Sequence, residues 1–129
     1  MSTEAKARIL LVEDEIITAT ALEKSLKNLG YDVVGIVSSG EQAVRRAAEK
    51  VPDLILMDIR LKGDMDGISA AQKIQSNYQI PVVYLTAHSD EGTVKRILHS
   101  NPYGCLFKPF KKEDLRNAIE GALNRHRSK

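Results

Sequence analysis

The sequence predicts a doubly wound α/β domain, in which five parallel strands alternate with five helices, and two observations predict it. Four short runs, at residues 9–12, 33–37, 54–57 and 80–85, are rich in β-branched side chains and nearly free of polar alternation. Strands of a parallel sheet, covered on both faces, have that composition. The intervening stretches instead place apolar residues three and four apart, as one-sided helices do. A helix between each pair of parallel strands makes a right-handed crossover, and a series of crossovers puts helices on both faces of the sheet.

The elements follow in order. The run at 9–12 is the first strand, and Ile17, Ala21, Leu22, Leu26 and Leu29 form the apolar stripe of a first helix that Gly30 terminates. After the strand at 33–37, Ser39 stands where an N-cap belongs, ahead of Ala43, Val44, Ala47 and Ala48 in a second helix. The strand at 54–57 leads through an Asp66-Gly67 turn into a third helix carrying Ile68, Ala71 and Ile74. The strand at 80–85 precedes a fourth helix with Val94, Ile97 and Leu98, for which Ser89 before Asp90-Glu91 is the start signal. A weaker fifth strand at 104–107 runs into Lys108-Pro109, and Leu115, Ala118, Ile119, Ala122 and Leu123 line the last helix. The folded unit is expected to span residues 8–126, with 1–7 and 127–129 as short flexible termini.

Composition narrows the function. The 129 residues suffice for one core, and 43% apolar with 28% charged residues is a globular balance. Nineteen Lys and Arg against 17 Asp and Glu leave a net charge of +2, scattered along the chain, so composition makes no case for nucleic-acid binding. Arg45-Arg46 reads as the solvated face of a helix. Cys105 is the single cysteine and cannot form an internal disulfide; the first residues lack a signal-type apolar run. No run approaches the roughly 20 apolar residues of a membrane span. A cytoplasmic protein without membrane contact is the expectation.

In open α/β sheets, ligands bind beyond the carboxyl ends of the strands. Those ends carry Glu13-Asp14-Glu15 after the first strand, Asp58 after the third, Thr86-Ala87-His88 after the fourth and Lys108-Pro109 after the fifth. An isolated acidic triplet most simply interacts with a helix dipole, and a lone lysine is most often solvated. Four such features delivered to one edge read as a site. Glu13, Asp14 and Asp58 would repel one another unless a hard divalent cation joined them, and oxygen ligands favour Mg²⁺. A fixed ammonium from Lys108 and a hydroxyl from Thr86 then suit phosphoryl transfer to a carboxylate. His88 and His99 have no zinc-ligand spacing.

These residues resemble the receiver domain of two-component response regulators, over nearly the whole chain. The resemblance implies a flavodoxin-like sheet of strand order 2-1-3-4-5. It implies that Asp58 is the phosphoacceptor, that Glu13, Asp14, Asp58 and the backbone carbonyl of Arg60 hold Mg²⁺, and that Thr86, Ala87 and Lys108 contact the phosphoryl group. Arg60 and His88 occupy the variable positions that modulate its lifetime, and the Lys-Pro bond is typically cis in this family. The implied function is to accept a phosphoryl group from a sensor histidine kinase or phosphotransfer protein. The domain then switches the binding of a downstream protein through the fourth helix, fifth strand and fifth helix. Such a domain assists its own phosphorylation and dephosphorylation but is a signalling module rather than an enzyme. It works either as a stand-alone regulator or as the receiver part of a longer chain.

Two features depart from the family. The position three before the lysine, usually an aromatic that swings inward on activation, is Cys105, with Tyr103 as the nearest aromatic before it. The loop at 60–67 is about one residue longer than in many members. Two rivals are weaker. A flavodoxin-like cofactor binder would need a Ser-, Thr- or Gly-rich phosphate loop where Glu13-Asp14-Glu15 stands, and a metal-dependent phosphohydrolase would need a substrate pocket that the sequence does not show. No P-loop motif is present.

Overall fold

A computed structural model of the protein describes residues 6–87, 91–100 and 102–127. The elements alternate without interruption: β1 (Arg8–Val12), α1 (Ile16–Asn28), β2 (Asp32–Val37), α2 (Gly40–Lys50), β3 (Leu54–Asp58), α3 (Gly67–Asn77), β4 (Val82–Thr86), α4 (Glu91–His99), β5 (Gly104–Phe107) and α5 (Lys112–Arg127). All strand pairs are parallel, in the order β2-β1-β3-β4-β5.

The two faces of the sheet carry separate cores. Leu10, Val12, Ile55, Met57, Val82 and Tyr84 pack with α2, α3 and Ile97 of α4. Ile9, Leu11, Leu54, Leu56, Val83 and Leu85 pack with α1 and α5. Alternation along each strand sends successive side chains to opposite cores, so the central strands β1, β3 and β4 need apolar residues throughout. The edge strands do not: β2 and β5 are mostly half-exposed, which corrects the expectation that every run is buried on both sides. A register shift opposite Ile9 and Leu10 leaves Val34 unmatched, a bulge tolerated at an edge.

Helix ends match their signals where they are described. Gly30 takes φ +93°, and its amide donates to Lys27 while that of Tyr31 donates to Leu26, both carbonyls otherwise left open at the end of α1. The Ser39 hydroxyl accepts from the Gln42 amide at 3.1 Å, and the Asp66 carboxylate caps α3 by accepting from Ser69 N at 2.9 Å. Ser89, the expected cap of α4, lies outside the described residues. Helical stripes were narrower than the sequence spacing suggests. Ile17 is 85% exposed and Leu98 69% exposed, and Ala21 and Ala48 also face outward. In α1 the buried stripe is Ala19, Leu22 and Leu26. The fourth strand begins at Val82, after Pro81, and runs one residue further than expected to include Thr86.

Candidate functional site

The carboxyl ends of β1, β3, β4 and β5 converge. The Glu13 amide donates to Val37 O at 2.9 Å, which extends the β1–β2 ladder by one residue and holds the Glu13 side chain at the edge of the core, only 2% exposed. Asp58 closes β3 and is 8% exposed. Asp14 is half-buried beside them, and one carboxylate oxygen from each of Glu13, Asp14 and Asp58 lies within 4.8 Å of the others. On the far side, Lys108 N donates to Thr86 O at 2.8 Å, carrying the β4–β5 pairing past Phe107. The Lys108 ammonium donates to Glu13 Oε1 at 2.9 Å and to Asp58 Oδ2 at 3.2 Å, and the Lys108-Pro109 bond is cis.

The electrostatics follow from this crowding. Burial raises the Glu13 pKa above the usual carboxylate value, and Asp58 pushes the same way, while the Lys108 hydrogen bond opposes both. Burial works against the charge of Lys108, but Glu13 and Asp58 together outweigh it and hold its pKa above the ordinary lysine value. Backbone donors complete the carboxylate shells: Glu15 N reaches Glu13 Oε2 at 3.2 Å and Arg60 N reaches Asp58 Oδ1 at 3.3 Å.

Thr86 is fully buried at the end of β4, cross-strand from Phe107, and Ala87 follows it at the surface. The Arg60 side chain is exposed; its amide is the part that touches Asp58. His88 lies outside the described residues. Cys105 is not at the site: it is half-buried in the middle of β5, paired with Tyr84 and packed against the α3–α4 side. Tyr103 packs on the opposite side, against α5, where its ring meets His126 edge-on at 5.7 Å. It therefore occupies a different place from the ring that Cys105 lacks. Sequence spacing did not reveal the ion pair between Arg96 of α4 and Asp66, 2.7 Å long, because nothing in the sequence relates two surface charges 30 positions apart. A hard cation fits the donor set, which among the described residues offers three carboxylates and neither thiol nor imidazole, and whose negative charge Lys108 offsets only in part.

Residues 9–120 match the response regulator receiver domain family. The chain belongs to that family. As a receiver domain, it is 39% identical over 120 residues to the transcriptional regulatory protein PdtaR of Mycobacterium tuberculosis, covering 93% of this chain and 58% of that protein. It is 37% identical over 116 residues to ZraR of Escherichia coli, covering 89% of this chain and 26% of that one. The chain thus spans little more than half, or about a quarter, of the length of these curated relatives. Among solved structures, the signal receiver domain of a modulated diguanylate cyclase from Desulfovibrio desulfuricans superposes with a TM-score of 0.90 at 36% identity, covering 95% of this chain and 98% of that one. The receiver domain of the sensor histidine kinase PA1611 from Pseudomonas aeruginosa superposes with a TM-score of 0.84 at 36% identity, covering 93% and 99%; that receiver holds a magnesium ion in its active-site cleft. Family and fold are those that the four strand-end motifs imply. No described helix is long and apolar enough to cross a membrane.

Proposed function

We propose that this receiver domain accepts a phosphoryl group on Asp58 from a phosphohistidine of a sensor kinase or phosphotransfer protein, and passes the event to a downstream protein. A carboxylate oxygen of Asp58 forms a bond to phosphorus as the bond from phosphorus to the donor imidazole breaks; the bonding pair returns to that nitrogen, and the ring, already carrying a proton on its other nitrogen, leaves as neutral imidazole. Water later cleaves the acyl phosphate, restoring the carboxylate and releasing inorganic phosphate. The domain aids both steps at its own residue and turns over no separate substrate, so it is a signalling module.

The observation that carries the reading is the Lys108 ammonium shared between Glu13 and Asp58. It stands beside the acceptor oxygen, where charge develops on the transferring group, and is fixed there before the reaction. Glu13, Asp14, Asp58 and the Arg60 carbonyl are the residues that would hold Mg²⁺, which when bound shields the acceptor carboxylate and phosphoryl oxygens from each other. Thr86 and Ala87 approach the phosphoryl group from the end of β4, and Arg60 with His88 sets its lifetime. The unit doing this is residues 8–126, to which Ala7, whose carbonyl accepts from Asp32 N at 2.9 Å, and Arg127 at the end of α5 also belong. A cytoplasmic site of action, no nucleic acid bound by this chain, and a partner surface on α4, β5 and α5 belong to the same reading. It is tested by intact mass after incubation with acetyl phosphate and Mg²⁺: the wild type should gain one phosphoryl group, and Asp58→Asn should not. Equal labelling of both would overturn the assignment.

A further inference from the structure

Resting on that reading, we infer that the Arg96–Asp66 ion pair is the link that makes the position of α4 depend on the state of Asp58, and so replaces the moving ring that Cys105 cannot supply. The chain of contacts begins at the acceptor itself. Gly67 N donates to Ile59 O at 2.7 Å, and the Gly67 Cα sits so near the Asp58 carbonyl that a Cβ there would lie 2.0 Å from its oxygen. The backbone at 58–59 and the first turn of α3 are therefore in rigid contact. Asp66 is the cap of that turn. Its Oδ1 accepts from Ser69 N at 2.9 Å, and its Oδ2 accepts from Arg96 at 2.7 Å, so one carboxylate joins the start of α3 to the middle of α4.

Helix α4 is the element most readily displaced. Ile97 is its one buried side chain between Glu91 and His99, and Leu98 projects into solvent. With so little apolar anchorage, a single ion pair has leverage on where the helix sits. The core beneath it is also incomplete. The Tyr84 hydroxyl is buried and makes no hydrogen bond of ordinary geometry among the described residues; the Ser100 hydroxyl close to it donates to Ile97 O at 2.7 Å and keeps lone pairs that can accept from Tyr84. A buried hydroxyl without a well-formed bond marks an arrangement that a small displacement of α4, carrying Ser100 at its end, could improve. Tyr84 pairs across the strands with Cys105, whose side chain is too small to swing between two positions as a ring does. Any movement of the loop at 59–66 on phosphorylation is instead carried through Asp66 to Arg96.

The test is backbone amide NMR of the 129-residue chain, with and without acetyl phosphate and Mg²⁺, intact mass reporting phosphoryl uptake. Arg96→Gln breaks the link, Arg96→Lys keeps its charge, and Lys95→Gln removes only the Lys95–Glu91 pair within α4. Arg96→Gln should take up phosphoryl like wild type, yet lose most of the phosphorylation-dependent shifts at residues 94–100. Arg96→Lys and Lys95→Gln should retain them. A full α4 response in Arg96→Gln, or its equal loss in Lys95→Gln, overturns the link. Hydrogen exchange of the unmodified protein reads the same link without phosphorylation. Arg96→Gln should accelerate exchange by about fivefold in both the first turn of α3 and α4. Acceleration confined to α4 would overturn the inference. Absence of phosphoryl uptake in every protein would count against the Asp58 reading alone, leaving exchange to decide on the link.

Discussion

Lys108 and Glu13, 95 residues apart in sequence, meet at 2.9 Å where β5 and β1 end, and the pair closes the site from opposite sides of β3. Glu13 is essentially out of contact with water, so its charge is tolerated because the ammonium and the Glu15 amide are both in place. Lys108→Met should strand two carboxylates. We expect it to lower metal-free stability by about 1–2 kcal/mol in urea denaturation, less than a fully buried pair would cost because Lys108 is partly solvated. Phosphoryl uptake from acetyl phosphate should fall sharply. Unchanged uptake would remove Lys108 from the mechanism.

The raised pKa of Glu13 fixes a pH dependence. Between its ordinary value of 4.5 and the higher folded value, the folded protein holds a proton that the unfolded chain has released. Stability therefore falls as pH rises through that window. In metal-free buffer, Glu13→Gln should flatten this decline from pH 4.5 upward and also reduce the alkaline loss tied to Lys108, because Glu13 is the foremost of the groups that hold the lysine pKa up and only Asp58 would remain. Urea midpoints across pH 4.5–7 measure it, and parallel profiles for the two proteins would contradict it.

Asp14 adds negative charge next to Glu13 and Asp58. Asp14→Ala should weaken Mg²⁺ binding about tenfold or more, and raise metal-free stability by roughly 0.5–1 kcal/mol because like charges are relieved. Isothermal titration and denaturation read the two effects separately. An unchanged Mg²⁺ affinity would exclude Asp14 from the donor set.

Gly67 is required by packing rather than by φ. A Cβ at 2.0 Å from the Asp58 carbonyl oxygen meets backbone that cannot withdraw without moving the acceptor. Gly67→Ala should cost about 3 kcal/mol or more, at the upper end of single substitutions. Thermal or urea unfolding measures it, and a loss below about 1 kcal/mol would mean that the loop at 59–66 yields easily.

The central strands and the strand-end motifs were legible in the sequence because each depends on local pattern: continuous apolar runs on β1, β3 and β4, with Glu13-Asp14, Asp58 and Thr86 directly after or at their ends, and Lys108 directly after β5. The errors have equally local causes. Ile17 and Ala21 are spaced four apart like a helical stripe, yet at about 3.6 residues per turn both lie on the face of α1 opposite Ala19, Leu22 and Leu26, and both are exposed. The edge strands β2 and β5 share the composition of inner strands but lack a neighbour on one side, and only strand order reveals that. The Arg96–Asp66 pair required α3 and α4 to be placed side by side in space.

Thr86 supplies the last prediction. It is buried at the end of β4, on the sheet face it shares with Tyr84, and its carbonyl accepts from Lys108 N at 2.8 Å. Its backbone is therefore held between two strands at the site edge, and a phosphoryl oxygen on Asp58 would draw its hydroxyl inward together with Ala87. A phosphoryl group can shift that equilibrium only by its differential interaction with the two positions. A hydrogen bond to a charged group is worth roughly 1.5–3 kcal/mol, which changes a population ratio about ten- to more than a hundredfold. Thr86→Ala should accept phosphoryl at Asp58 but lose most phosphorylation-dependent amide shifts at Ala87, in residues 91–93 and along β5. Thr86→Ser should keep them. The Arg96→Gln losses fall instead at 94–100, so the two substitutions separate a pull on the N-terminal end of α4 from a hold on its middle. Intact shifts at Ala87 and β5 in phosphorylated Thr86→Ala would show that the hydroxyl does not lead the change.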